Sequence, residues 1–154
     1  METYVFAVNM KGKPMLCVSF LNPEKAMKEG LKGEVVVGFL KEKGGLNPEN
    51  FVANRAFKNF LHGVIGKEIV NDPNCKEEAK RVKDGDVFII DARTENPQGD
   101  VPPYDIVGAV KAEKGKIVKG SYSANPNHML VGPTGMFKLS EFLEKKLIKA
   151  LSKL

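Results

Sequence analysis

The residues best suited to chemistry concentrate in two stretches. The first, Asp91-Ala92-Arg93-Thr94-Glu95, continues directly from the apolar run Val87-Phe88-Ile89-Ile90. Alternate side chains of an extended segment share a face, which puts Asp91, Arg93 and Glu95 on one side. Charged groups at the end of a buried strand are where sheets of α/β proteins gather ligand-binding residues. The segment that follows, from Glu95 to Tyr104, holds Pro97, Gly99, Pro102 and Pro103. Loops of this length are uncommon unless they bind something or move. Asp105 closes the loop and joins Arg93 and Glu95 as a candidate ligand-binding residue. The competing structural role is a self-capping Asp–Arg pair at the strand end.

The second stretch is Ser121-Tyr122-Ser123-Ala124-Asn125-Pro126-Asn127-His128, leading to Gly132-Pro133-Thr134-Gly135. Its neutral groups, Ser121, Ser123, Asn125 and Asn127, suit hydrogen bonding to a sugar, base or phosphate. A histidine such as His128 suits a general base near neutral pH, with Asp91 as the other candidate catalytic group. Arg93 would then hold an anionic part of the ligand. Against this stands turn chemistry, because Asn-Pro-Asn side chains often satisfy their own backbone. A geometric condition decides between them. If strands 86–91 and 116–122 run parallel in one sheet, both loops emerge at the same end, and Asp91, Arg93, Asn125 and His128 converge.

Other features point less far. Gly44-Gly45-Leu46-Asn47 precedes a helical pattern and offers backbone N–H groups, but it lacks the Gly-x4-Gly-Lys-Ser/Thr spacing of nucleotide hydrolysis. Arg55, Lys58, Asn59 and His62 fall on one helical stripe and read as a solvated face. Cys17 and Cys75 are far apart, and neither they nor the two histidines show metal-ligand spacing. No metal or cofactor is expected. Cys17 lies in a strand-like run and reads as buried, whereas Cys75 lies in a polar helix-opening stretch and reads as exposed.

The elements that must position these residues follow from patterning. Tyr4–Phe20 reads as a hairpin around Asn9-Met10-Lys11-Gly12, and Ile106–Tyr122 as another around Ala112-Glu113-Lys114-Gly115. Both are read with three-residue loops, the second pairing Val110 with Val118 and Ile106 with Tyr122. In that register Lys111 and Lys119 share a face. Asn22-Pro23, Asn47-Pro48 and Asp72-Pro73 each place a capping residue before a first-turn proline, which predicts three helix starts. The middle helix then runs from Pro48 to about Ile65, and a last one starts at the Ser140 cap. Strands are expected over 34–40, 86–91 and 129–131. The fold class is α+β, with mixed α/β as its variant: one globular domain over 1–154, a mixed sheet of about five to seven strands including the two hairpins, and about four helices.

Composition bounds the function. The chain has 154 residues, 42% of them hydrophobic and 28% charged, as ordinary globular domains do. No apolar run approaches the ~20 residues of a membrane helix, and the N-terminus shows no export signal. A soluble, cytoplasmic protein is expected, with no membrane partner. The net charge of +5 resides in residues 111–154, which have nine lysines against Glu113, Glu141 and Glu144. Abundant Lys and Glu lean towards a thermophilic source.

Three functions compete. The first is small-ligand binding, enzymatic or not, at a polar site built from the 91–105 and 121–135 loops, for a small anionic or polar ligand. The second is nucleic-acid binding through residues 111–153, chiefly Lys111, Lys114, Lys116 and Lys119. Only three arginines and core-spaced phenylalanines weigh against it. The third is a noncatalytic homodimeric interaction domain that buries residues such as Met15 and Val107. No motif names a reaction.

Overall fold

Two tight hairpins set the registers of the sheets. In the computed structural model, which describes all 154 residues, β1 (Tyr4–Met10) turns into β2 (Lys13–Ser19) through Lys11 and Gly12, with φ of 51° and 81°. Likewise β6 (Ile106–Glu113) turns into β7 (Lys116–Ile117) through Lys114 and Gly115, with φ of 51° and 78°. Two consecutive positive φ values mark a two-residue type I′ turn, whose twist suits the strands it joins. The expected three-residue loops are therefore corrected. The second ladder pairs Ala112 with Ile117 and Glu113 with Lys116, one residue away from the expected register. Such a slip exchanges the two faces of a strand, so Lys111 and Lys119 no longer share one.

Ten strands form three sheets with antiparallel pairing, and four helices pack with them in an α+β fold. The expected single mixed sheet is thus replaced by separate antiparallel ones. The first has the order β1-β2-β3-β4, with β3 Gly38–Leu40 and β4 Phe51–Ala53. The second has the order β5-β6-β7, with β5 Gly85–Ile90, and β8 (Ser123–Ala124) also pairs with β6. A short ribbon joins β9 (Val131–Gly132) to β10 (Gly135–Met136). Because β5, β7 and β8 are each antiparallel to β6, they run in the same direction, and the segments after β5 and β8 leave the sheet at one end.

Two of the three Asx-Pro signals open helices, α1 (Pro23–Met27) and α3 (Pro73–Val82). The third does not. Asn47 Oδ1 accepts the Asn50 N–H at 3.0 Å, which closes a turn, and β4 follows. The long helix α2 begins later, at Arg55, and runs to Glu68. Val52 and Ala53, expected on its apolar face, are instead exposed strand residues. Ser140 caps α4 (Glu141–Ser152) by accepting the Leu143 N–H at 3.2 Å.

One cluster of buried apolar side chains draws on both four-stranded sheets and all four helices. Phe57, Leu61 and Ile65 of α2 and Leu143, Leu147 and Leu151 of α4 supply its centre. Phe20, Phe57 and Phe137 meet with ring centroids 5.6–6.2 Å apart, and losing one such ring costs about 3–5 kcal/mol. Cys75 is 6% exposed and belongs to this core, which corrects its expected exposure. Val107 is fully buried, so no interface between copies reaches it. No helix is long and apolar enough to cross a membrane.

Candidate functional site

Beyond β5 the chain enters a buried ionic network. Asp91 Oδ1 accepts the N–H groups of Arg93 (3.0 Å) and Lys138 (2.9 Å). Its Oδ2 lies 2.9 Å from His128 Nε2 and 3.5 Å from Arg93 Nε. Arg93 Nε donates to Asp105 Oδ1 at 2.7 Å, and Thr94 Oγ1 donates to Asp105 Oδ2 at 2.7 Å. The remaining guanidinium protons go to the carbonyls of Leu130 and Gly135 from Nη1, and of Tyr104 and Met129 from Nη2, at 2.6–3.2 Å. A guanidinium has five N–H donors, and here all five are used inside the protein. The expected role of Arg93 as an anion holder is therefore corrected: it joins strand ends and has no donor left for a ligand.

The two loops do meet. Asp91, Arg93, Asp105 and His128 are each at most 9% exposed, and Asn125 ties the loops together by donating to the carbonyls of Pro103 and Ile106, both at 2.8 Å. Its Oδ1 accepts the Asn127 N–H at 3.1 Å, the turn chemistry that competes with ligand binding. Ser121 Oγ donates to the Val118 carbonyl and accepts the Lys111 N–H. Glu95, Ser123 and Asn127 are exposed and stand apart from the buried network. Glu95 leaves the side shared by Asp91 and Arg93 because the chain stops being extended after Ile90.

Since Asp91 already accepts from Arg93 and Lys138, the His128 contact is Nε2–H donating to Oδ2. Nδ1 is then the one buried side-chain nitrogen or oxygen with no hydrogen-bond partner in the protein. The ring packs edge-on to Phe137, with centroids 6.1 Å apart. A carboxylate that orients an imidazole by one nitrogen leaves the other for proton chemistry. Here, however, the ring is buried in the core.

A larger space opens on the other side of the same loop. Between the free edge of β5, helix α3 and the 97–101 segment lies a groove of about 480 Å³. Val87, Phe88, Ile90, Val101, Ile106 and Leu143 supply much of its wall, and Asn74, Gln98 and Ser140 its polar boundary. Lys111 bonds through its backbone to the β7 side of β6, since its carbonyl accepts from Val118 and its N–H donates to Ser121. Its ladder partner Asp86 therefore directs its own N–H and C=O to the free edge, as does Phe88 two residues on.

No protein-family model, curated protein or solved structure matches the chain.

The ionisable groups along the groove are already engaged. Glu78 is paired with Arg81 and Asp86 with Lys111. Asp72 accepts from Ser140 Oγ at 3.2 Å. Burial raises the Asp72 carboxyl from its ordinary value, while its hydrogen bonds to Ser140, Asn74 and Cys75 pull the other way. Burial and the nearby Asp72 and Glu78 carboxylates push the Cys75 thiol up to about 11, which leaves it protonated and unreactive near neutrality.

Sequence reasoning missed one polar contact. His62 Nδ1 and the Tyr122 hydroxyl share a hydrogen bond of 2.7 Å, linking α2 to the 121–128 stretch. Burial, with added repulsion from His128 and Lys58, lowers the His62 pKa from 6.5 to about 4, and burial raises that of Tyr122. His62 lies on the stripe read as solvated, and only its distant partner reveals the role. Gly108 makes room for this pair, because a Cβ there would come within 2.8 Å of the Tyr122 hydroxyl.

Proposed function

We propose that the chain binds a small, mainly apolar ligand in the groove between β5, α3 and the 97–101 segment, and that the Asp91–Arg93–Asp105–His128 network holds the groove wall in place. The single observation that carries this reading is the cavity of about 480 Å³, inside the range of about 300–1,000 Å³ typical of small-molecule sites. The expected polar or anionic ligand gives way to an apolar one because aliphatic side chains dominate the wall and Arg93 has no free donor. The reading is binding rather than turnover. Glu78, Asp86 and Asp72 have internal partners, and the Cys75 thiol stays protonated.

Titration with 1-octanol, followed by amide chemical-shift mapping, tests this. Shifts are expected at Cys75, Phe88, Ile90 and Gln98, saturating with concentration, and Ile90→Trp should abolish them by filling the groove while leaving the folded spectrum intact. Shifts located elsewhere, or undiminished in the Ile90→Trp variant, would overturn the reading.

A further inference from the structure

The sheet of β1 to β4 has two apolar faces: one belongs to the core, and the other, which carries the core-packed Phe6 and the fully buried Cys17, opens towards Met15, Phe39 and Val52. Leu16, Val18, Leu40 and Phe51 belong to the core side. Register gives the opposite face: Val8 pairs with Met15, Cys17 with Phe39, and Phe39 with Val52. An antiparallel sheet with one face in water normally alternates apolar and polar residues. Here Val52 is 48% exposed, and Val8, Met15 and Phe39 are half-buried.

Met15, Phe39 and Val52 line a groove of about 490 Å³ together with Leu16, Leu40, Lys41 and Lys43, where the ends of β2 and β3 meet. Pairing continues past β3, because the Lys41 N–H donates to the Asn50 carbonyl at 2.9 Å. Alternation therefore puts Lys41 on the side of Phe39, and Lys13 on the side of Met15. Lys13, Lys41 and Lys43 form no ion pair within the chain. The groove lining contains no acidic residue.

We propose that this face docks an amphipathic helix of a partner protein, with its apolar stripe over Met15, Phe39 and Val52 and its flanking carboxylates against Lys13, Lys41 and Lys43. Charge complementarity selects this occupant. A second copy of the chain would bring a lysine-rimmed patch onto an identical one, and the net charge of +5 adds to the repulsion. Size agrees as well: three neighbouring strands span about 14 Å at a spacing of about 4.8 Å, wide enough for one helix of about 10 Å. The partner helix would supply the layer that an apolar sheet face ordinarily packs against.

The experiment uses two synthetic 18-residue helical peptides with the same leucine stripe, one flanked by Glu and one by Lys, titrated by fluorescence anisotropy at low and physiological salt. The Glu-flanked peptide is expected to bind at least about tenfold more tightly, with the difference narrowing as salt screens the lysines. Val52→Glu, at an exposed position that folding tolerates, should abolish that binding. The double variant Lys41→Glu/Lys43→Glu should invert the preference between the peptides. Equal affinity for both peptides, or binding that survives Val52→Glu, would overturn the proposal. So would binding confined to phosphatidylglycerol vesicles, or a concentration-dependent dimer that Val52→Glu dissociates.

Discussion

The 91–105 loop is divided between two environments. Its ends, Asp91, Arg93 and Asp105, are buried, and Asp91 and Arg93 connect them to residues 128–130, 135 and 138, whereas the intervening residues 95–100 are exposed. The ends pair one guanidinium with two carboxylates; the middle borders the groove through Pro97, Gln98 and Val101. Charge in the two regions therefore has opposite meanings. At the ends it is structural, because a guanidinium with every N–H satisfied has been withdrawn from solvent and from ligands. The open groove borders the neutral residues of the middle. A rigid base and an exposed rim are what a preorganised binding loop requires, since ordering costs are met on folding rather than on ligand binding.

The comparison is broken most severely by removing the guanidinium. In Arg93→Ala, Asp91 and Asp105 lose their cation and four carbonyls lose their donors. A cost of about 3–5 kcal/mol is expected for breaking a buried ion pair from one side, a large share of a typical domain stability of about 5–15 kcal/mol. Urea denaturation measures it, and hydrogen exchange should show the loss concentrated in 91–105 and 128–138. Arg93→Lys should recover little, because an ammonium has three donors rather than five. A cost below about 1 kcal/mol, the range of exposed ion pairs, would show that the network does not anchor the loop.

Asp91→Asn tests the same base more gently. The amide oxygen still accepts from Arg93 and Lys138, but its NH₂ group then faces His128 Nε2. The hydrogen bond reverses, and the proton of a neutral His128 moves to Nδ1. Two-dimensional ¹H–¹⁵N correlation of the imidazole should report this change of tautomer, with about 2–3 kcal/mol lost along with a charge-assisted bond.

How far these regions were legible in the sequence depended on the range of the forces involved. The caps at Asn22 and Ser140 are local and stand at their expected places, and the apolar stripe of α2 keeps Phe57 and Leu61 although the helix starts seven residues later than expected. The Asn47-Pro48 signal is equally local but was overridden from a distance. Phe51 pairs with Leu40, and its ring occupies the space over Gly38, where a Cβ would come within 2.3 Å of it. The strand this creates uses residues that the helical pattern also fits. The hairpin slip has another cause: Lys11-Gly12 and Lys114-Gly115 form type I′ turns without the Asn-Gly or Asp-Gly pair that ordinarily announces them. At the site, the meeting of Asp91 with His128 was visible as a conditional consequence of strand direction. The exhaustion of the Arg93 donors was not, because four of its five partners are backbone carbonyls and carry no sequence signal.

A third polar contact sharpens the contrast by its pH dependence. Burial lowers the His62 pKa from 6.5 to about 4, so folding favours the neutral ring. Its contribution is fully present above about pH 6.5 and is lost as pH falls from there through about 4. The ring is only half-buried, which limits the expected loss to about 2 kcal/mol after solvent screening. His62→Gln keeps a hydrogen bond to Tyr122 but removes the titration. Urea midpoints measured from pH 7 to 4.5 should fall less steeply in this variant than in the parent, and superimposable profiles would remove His62 from the account.

The smallest effect on stability should come from the groove itself. Phe88 is 56% exposed on the edge strand β5, and Phe88→Thr keeps a residue suited to strands. Little apolar surface returns to water, so stability should change by no more than about 0.5 kcal/mol, as for surface substitutions generally. Octanol affinity should nevertheless fall, because Phe88 supplies part of the groove wall. This pairing of outcomes separates the two halves of the loop: Arg93→Ala should damage stability first and binding as a consequence, and Phe88→Thr should damage binding alone. If Phe88→Thr instead cost several kcal/mol in urea denaturation, the groove would be an extension of the core, and its open space would belong to packing rather than to a ligand.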